Sequence, residues 1–334
     1  MHKTPIPWEP AVYEHKAALI GRTPAEVSGS ADLLVRAMKE EYAIYQADYL
    51  TVGLDIYNVE AEALGARLTV PSPCACPDLE SPIYDLDHLP DSLVVPPIPD
   101  AGRFRLFLEA GVAVARELAG RAAIRVAATG PFTLAARLCG LEPLLMSLVA
   151  EDGNADRLLD FTTEVAFAWC RCLRKHALEV VLFDSAAAPP MVSPDGFARV
   201  LVPRLARLMA ALQASGQTER ELVIGGDTSS IAGLLPATGA TFVLCDAPTD
   251  AKAFRQALAP SPDCRVRRNI APDRLAVDPG GRAVAFVRDL TQFSRPVAGT
   301  GVLPYDFEPR HFLEFRNQVC RLKNKMSSLT KLTG

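Results

Sequence analysis

No apolar run in this chain approaches the roughly 20 residues needed to span a bilayer. Its amino terminus, MHKTPIPWEP, carries prolines where a signal peptide needs an apolar core. An excess of charge of either sign is lacking: the formal net charge is −4, with no polybasic stretch. Nucleic-acid binding and membrane attachment therefore have no electrostatic footprint here. There is no GxGxxG after a first strand and no GxxxxGK[ST], so dinucleotide and P-loop readings lack support. Eight cysteines in 334 residues are too sparse for a disulfide framework. These absences together predict a cytoplasmic protein whose cysteines are small buried hydrophobes.

The composition, 49% hydrophobic and 22% charged, suits an α/β protein with a large core. Residues 8–46 read as helices, with Leu33, Leu34, Ala37, Met38, Tyr42, Ile44 and Tyr45 on apolar positions. Strands then alternate with helices: DYLTVGLD, AAIRVAATG, EVVLFDSAA, ELVIGGDT, TFVLCDA, CRVRRNI and PVAGTGVLP each precede a helical stretch. Such alternation implies a parallel sheet. Seven strands are clear and the eighth is not. The expectation is a (β/α)8 TIM barrel over residues 47–325 behind an N-terminal helical extension, residues 1–46. The proline-rich segment SPCACPDLESP reads as a loop or hairpin excursion.

A closed barrel is favoured over an open sheet because polar residues end nearly every strand: Asp55, Thr129, Asp184, Asp227, Asp246, Asn269 and Thr300. In a barrel all of them face one mouth, where catalytic groups gather. Two carboxylates about 5 Å apart repel by roughly 3 kcal/mol at an effective dielectric near 20. Some must then be held by backbone amides, be protonated, or face a cation. Asp184, Asp227 and Asp246 each have a competing role as helix or turn caps. Asp55 has less excuse, since Asn58 can cap the helix that follows it. Gly130-Pro131 opens a helix with its amides free for an anionic group, and Gly225-Gly226 allows close approach of backbone to a ligand. No cysteine or histidine grouping has convincing zinc spacing, and Cys245 is the thiol nearest the expected cavity.

The runs DYLTVGLDIYNVEAEALG, TGPFTLAARL, LFDSAAAPPMVSPDGFARVLVPRLARLM, GGDTSSI, RNIAPDRL and GTGVLP, in this order, resemble the uroporphyrinogen decarboxylase superfamily from about residue 13 to 322. That superfamily has a (β/α)8 barrel and contains both the decarboxylase and cobalamin-dependent methyltransferases acting on coenzyme M or related thiols. The resemblance makes Asp55 the match of the decarboxylase aspartate and Ser185 that of a substrate-contacting serine. The decarboxylase's RQAGR motif has no counterpart, its tyrosine appears as Arg137, and its late histidine as Thr300. The VEAEALG run resembles the methyltransferase branch, whose zinc is held by an HxCGNT motif and a late cysteine. Here those positions are Val223, Gly225 and Val302. The resemblance thus implies a methyltransferase-like enzyme of corrinoid one-carbon metabolism without zinc. A decarboxylase and a non-catalytic corrinoid or small-ligand binder are the alternatives. Asp55, Asp184 and Ser185 are its expected catalytic residues. Thr129, Gly130, Gly226, Asp227, Thr228, Asp246, Asn269 and Thr300 are expected to bind a small-molecule or tetrapyrrole-type ligand. A cobamide would come from a corrinoid partner protein, and a homodimer is expected.

Overall fold

The computed structural model describes residues 6–275 and 279–332. Eight strands form one parallel sheet: β1 (Trp8–Ala11), β2 (Tyr49–Val52), β3 (Ala123–Thr129), β4 (Glu179–Phe183), β5 (Glu221–Val223), β6 (Phe242–Cys245), β7 (Arg265–Ile270) and β8 (Pro296–Val302). Each strand pairs with its sequence neighbour from β2 round to β8, and β8 pairs with β1. β1 and β2 meet where Asp48 N donates to Trp8 O at 2.9 Å and Trp8 N donates to the Asp48 carboxylate at 2.8 Å. The result is the expected (β/α)8 barrel, nearly closed.

The missing eighth strand is the first. Residues 8–46 are helical only from His15 onward, and Trp8–Ala11 is barrel backbone. Residues 8–46 are therefore no appendage: the helices His15–Leu19, Pro24–Ser28 and Ala31–Tyr45 form the crossover between β1 and β2. Pro10 hid the strand. It withholds a ladder donor and so argued against a central strand, yet β1 lies at the seam between the ends of the sheet. The proline-rich segment is a small hairpin, Leu68–Thr69 paired with Asp78–Leu79, folded over the barrel mouth. Among the described residues no single helix is long and apolar enough to cross a membrane.

Barrel interiors are filled by layers of four side chains from alternate strands, mostly Val, Ile and Leu. One layer here is ionic. Glu9 of β1, Arg125 of β3, Glu221 of β5 and Arg267 of β7 are each at most 2% exposed. Arg125 binds Glu9 at 2.5 Å and also Glu221, while Arg267 binds Glu9 and lies 3.5 Å from Glu221. Below, Arg125 stacks on Tyr49 and Phe242, its guanidinium 4.7 and 5.6 Å from the ring centres. Above lie Ala11, Ala127, Val181, Phe183, Val223 and Leu244, the floor of the mouth. Removing one member strands buried charge. Glu9→Ala is expected to cost about 3–5 kcal/mol, measured by urea unfolding, and a loss below about 1 kcal/mol would deny the layer its role.

Candidate functional site

At the carboxyl face of the barrel a cleft of about 480 Å³ opens among the ends of β1, β2, β4 and β8, the helix Pro131–Cys139 and the hairpin. Gly53 ends β2 at φ +123°, where a Cβ would stand 3.0 Å from the Phe107 ring. The turn that follows brings Asp55 to the wall of the cleft, only 2% exposed. Both of its oxygens are taken: Arg103 Nη2 donates to one at 2.6 Å and Asn58 Nδ2 to the other, also at 2.6 Å. Asn58 does not cap its helix. Instead it donates to Pro77 O and accepts from Arg137 Nη2 at 2.7 Å, and Arg137 also pairs with Asp78. Burial holds the Asp55 carboxyl above its ordinary range, partly offset by Arg103 and Asn58. Its acid is thus a fixed anchor that orients an amide and a guanidinium along the cleft.

Ser185 lines the cleft as well. Its Oγ accepts from the Tyr57 hydroxyl at 2.9 Å and from Gly225 N at 3.2 Å, which leaves its own proton for a ligand. Asp184 points the other way. It is fully buried, and one oxygen accepts from Thr133 N at 2.7 Å, so the helix N-terminus seen as a seat for an anion is filled by the protein's own carboxylate. A Cβ on Gly130 would stand 2.4 Å from Asp184 Cβ and Cγ, which explains the glycine by packing. Thr129 gives its N–H and hydroxyl to the buried Glu60 carboxylate, at 2.7 and 2.6 Å.

The remaining expected residues brace the far rim and do not line this cleft. Gly226, at φ +86°, donates its N–H to Asp246 at 2.9 Å, and Asn269 Nδ2 donates to the other Asp246 oxygen at 2.9 Å. Asp227 is exposed and caps its own turn at Ser229 N. Thr228 N donates to Thr249 Oγ1, and Thr300 Oγ1 accepts from Ala11 N at 3.1 Å, pinning β1 to β8. Cys245 is buried against Arg268. The thiol on the cleft is Cys76, which burial pushes up to about 12, with Glu14 and Asp55 adding to the effect.

Tyr13, Glu14, Tyr57, Arg103 and Cys76 escaped the sequence reading as site residues, and Asn58 figured there only as a helix cap. Tyr13 and Glu14 follow a strand taken for helix. The signal was present in the alternation of Glu9, Ala11 and Tyr13 with Trp8, Pro10 and Val12.

A nearly closed (β/α)8 barrel with a cleft at its carboxyl face defines the class. The model of the uroporphyrinogen decarboxylase (URO-D) family matches residues 8–285, and the chain belongs to that family. It is 24% identical over 158 residues to the methylcobamide:CoM methyltransferase MtaA of Methanosarcina barkeri, a stretch covering 47% of this chain and 46% of that protein. The aligned stretch thus spans about half the length of this relative. A methyltransferase from Methanosarcina mazei has the same fold at a TM-score of 0.81 and 16% identity, over 97% of this chain and 95% of that one.

Burial raises the Asp184 carboxyl from 3.8 to about 6, against the pull of Thr133 and Phe132. The folded protein then keeps this proton at pH values where the unfolded chain has lost it, so the group's contribution to stability falls as pH rises through that window. The loss amounts to about 3 kcal/mol. Asp184→Asn is expected to flatten the unfolding free energy between about pH 4 and pH 6. An unchanged slope in urea titrations would place the titrating group elsewhere.

Proposed function

We propose that this protein is a methyltransferase-like enzyme of corrinoid one-carbon metabolism that binds its small ligand in the mouth cleft without a zinc centre. One observation carries the reading. The three positions where the resemblance puts zinc ligands surround or border the cleft but offer no donor. Val223 is buried in its floor, Gly225 bonds Ser185, and Val302 lines its wall. Among the described residues no group of three or more His, Cys, Asp or Glu is arranged to hold a metal ion. The residues present do not fit zinc, since soft or imidazole donors are what such a site requires. In this reading Asp55 anchors the cleft wall through Asn58 and Arg103, and the Tyr57–Ser185 hydroxyl pair faces the ligand. A cobamide reaches the mouth on a corrinoid partner protein, and Asp184, Asp227 and Asp246 support the rim.

A second reading, decarboxylation of a small carboxylated substrate, rests on the place of Asp55 after β2. Against it, both Asp55 oxygens are occupied, and Arg137 is already paired with Asp78.

The purified protein, incubated with methylcobalamin and a panel of thiol and amine acceptors, is expected to lose the cobalt-bound methyl group at a rate unaffected by chelators. Asp55→Ala is expected to slow this about 100-fold by releasing the cleft wall. Carbon dioxide release from uroporphyrinogen, with no demethylation, would favour the decarboxylase. Stoichiometric zinc in fresh material would return the protein to metal-dependent thiol methylation.

A further inference from the structure

Charge within the cleft is unevenly compensated. Asp55 has Arg103, and Asp78 has Arg137, the one cationic side chain among the described residues lining the cleft. Glu14 lines the same cleft with no ion pair and no side-chain hydrogen bond to another residue among the described residues; its carboxyl meets only its own backbone N–H. Lys16 is not available to it: that ammonium is spent on Glu41 at 3.2 Å and on the carbonyls of Thr51 and Gly53 at 2.9 and 3.0 Å. Beside Glu14, Tyr13 is 8% exposed and lines the cleft, and its hydroxyl makes no hydrogen bond among the described residues. Tyr57 stands across from it, and both rings pack edge-on against Phe183, at 6.1 and 6.2 Å between centroids.

We infer that the cleft takes a small methylated ammonium ion, held by the Glu14 carboxylate and the rings of Tyr13 and Tyr57. Two aromatic walls and an uncompensated acid recognise an onium group, whose charge is diffuse and whose methyl groups pack on ring faces. An anionic ligand fares worse. To reach Arg137 it must displace Asp78 and approach Glu14 and Asp55, which repel it. The inference rests on the cleft being the ligand site of the proposed methyltransferase-like enzyme, and it names the ligand's chemical class.

Calorimetric titration of the full chain, without cobamide, with tetramethylammonium, acetate and methanesulfonate as separate probes tests it. Tetramethylammonium is expected to bind and the two anions not. Glu14→Gln, which leaves no partner stranded, is expected to weaken binding at least about ten-fold, equivalent to about 1.4 kcal/mol. Tyr57→Leu is expected to do the same in a protein of unchanged far-ultraviolet dichroism. Tighter binding of either anion, no binding of tetramethylammonium, or equal affinity in Glu14→Gln would overturn the inference. Onium binding without any methyl transfer would count against the proposed function alone. Methyl transfer by a protein that ignores tetramethylammonium would count against this inference alone.

Discussion

The mouth of this barrel depends on a layer of charge beneath it. Two glutamates and two arginines sit where a barrel ordinarily stacks aliphatic side chains, and each is worthless without the others. A single buried ion pair seldom outweighs its desolvation. A ring of alternating sign does better, because each carboxylate faces two guanidiniums and each guanidinium two carboxylates. The layer also selects its own strand order. Glu9 has partners on β3 and β7, so β1 cannot leave the barrel without taking one of two carboxylates from each of two buried cations. That matters because the backbone bonding between β1 and β2 is thin, and a strand of four residues carrying a proline has little ladder to hold it. With β1 fixed, Tyr13 and Glu14 emerge two and three residues beyond its end, at the cleft.

The sequence disclosed the barrel through periodicity, and it disclosed β2 through β8 because each alternates and ends on a polar residue. It concealed β1 for a physical reason: a strand whose inward residue is charged and whose outward residue is proline violates both local signals, and only tertiary pairing restores it. The strand-end rule names more residues than line the cleft. It cannot tell a polar side chain aimed into the cylinder from one folded back on an amide, and Asp184, Asp227 and Thr300 are of the second kind. Asp55 and Ser185 were legible because both continue past their strands into turns that bend inward. Arg103 was not, since it lies 48 positions from Asp55 in the chain and no spacing rule connects them.

The crowding of acids foreseen from the strand ends is resolved one acid at a time. Asp184 is met by the amide of a helix N-terminus, Asp246 by Gly226 N and the Asn269 amide, and Asp55 by Arg103 and Asn58. In a cavity built around a metal, the ion is the largest local charge and neighbouring acids are compensated by it. Here compensation is local to each acid and made of protein groups. This agrees with the apolar and glycine residues at Val223, Gly225 and Val302.

Seen this way, the exception among the acids carries the most information. A protein that meets Asp55, Asp78 and Asp246 with its own groups leaves Glu14, among the described residues, with no ion pair, on the same cleft as the unbonded Tyr13 hydroxyl. Burial holds the Glu14 carboxyl above its ordinary range, partly offset by its own backbone N–H and by the charge of Lys16. Uncompensated charge in a half-closed cleft weakens the fold that carries it, and selection for stability alone would replace it with a neutral side chain. Its presence is therefore best explained by a ligand that supplies the missing positive charge and shares the cleft with the Tyr57–Ser185 pair.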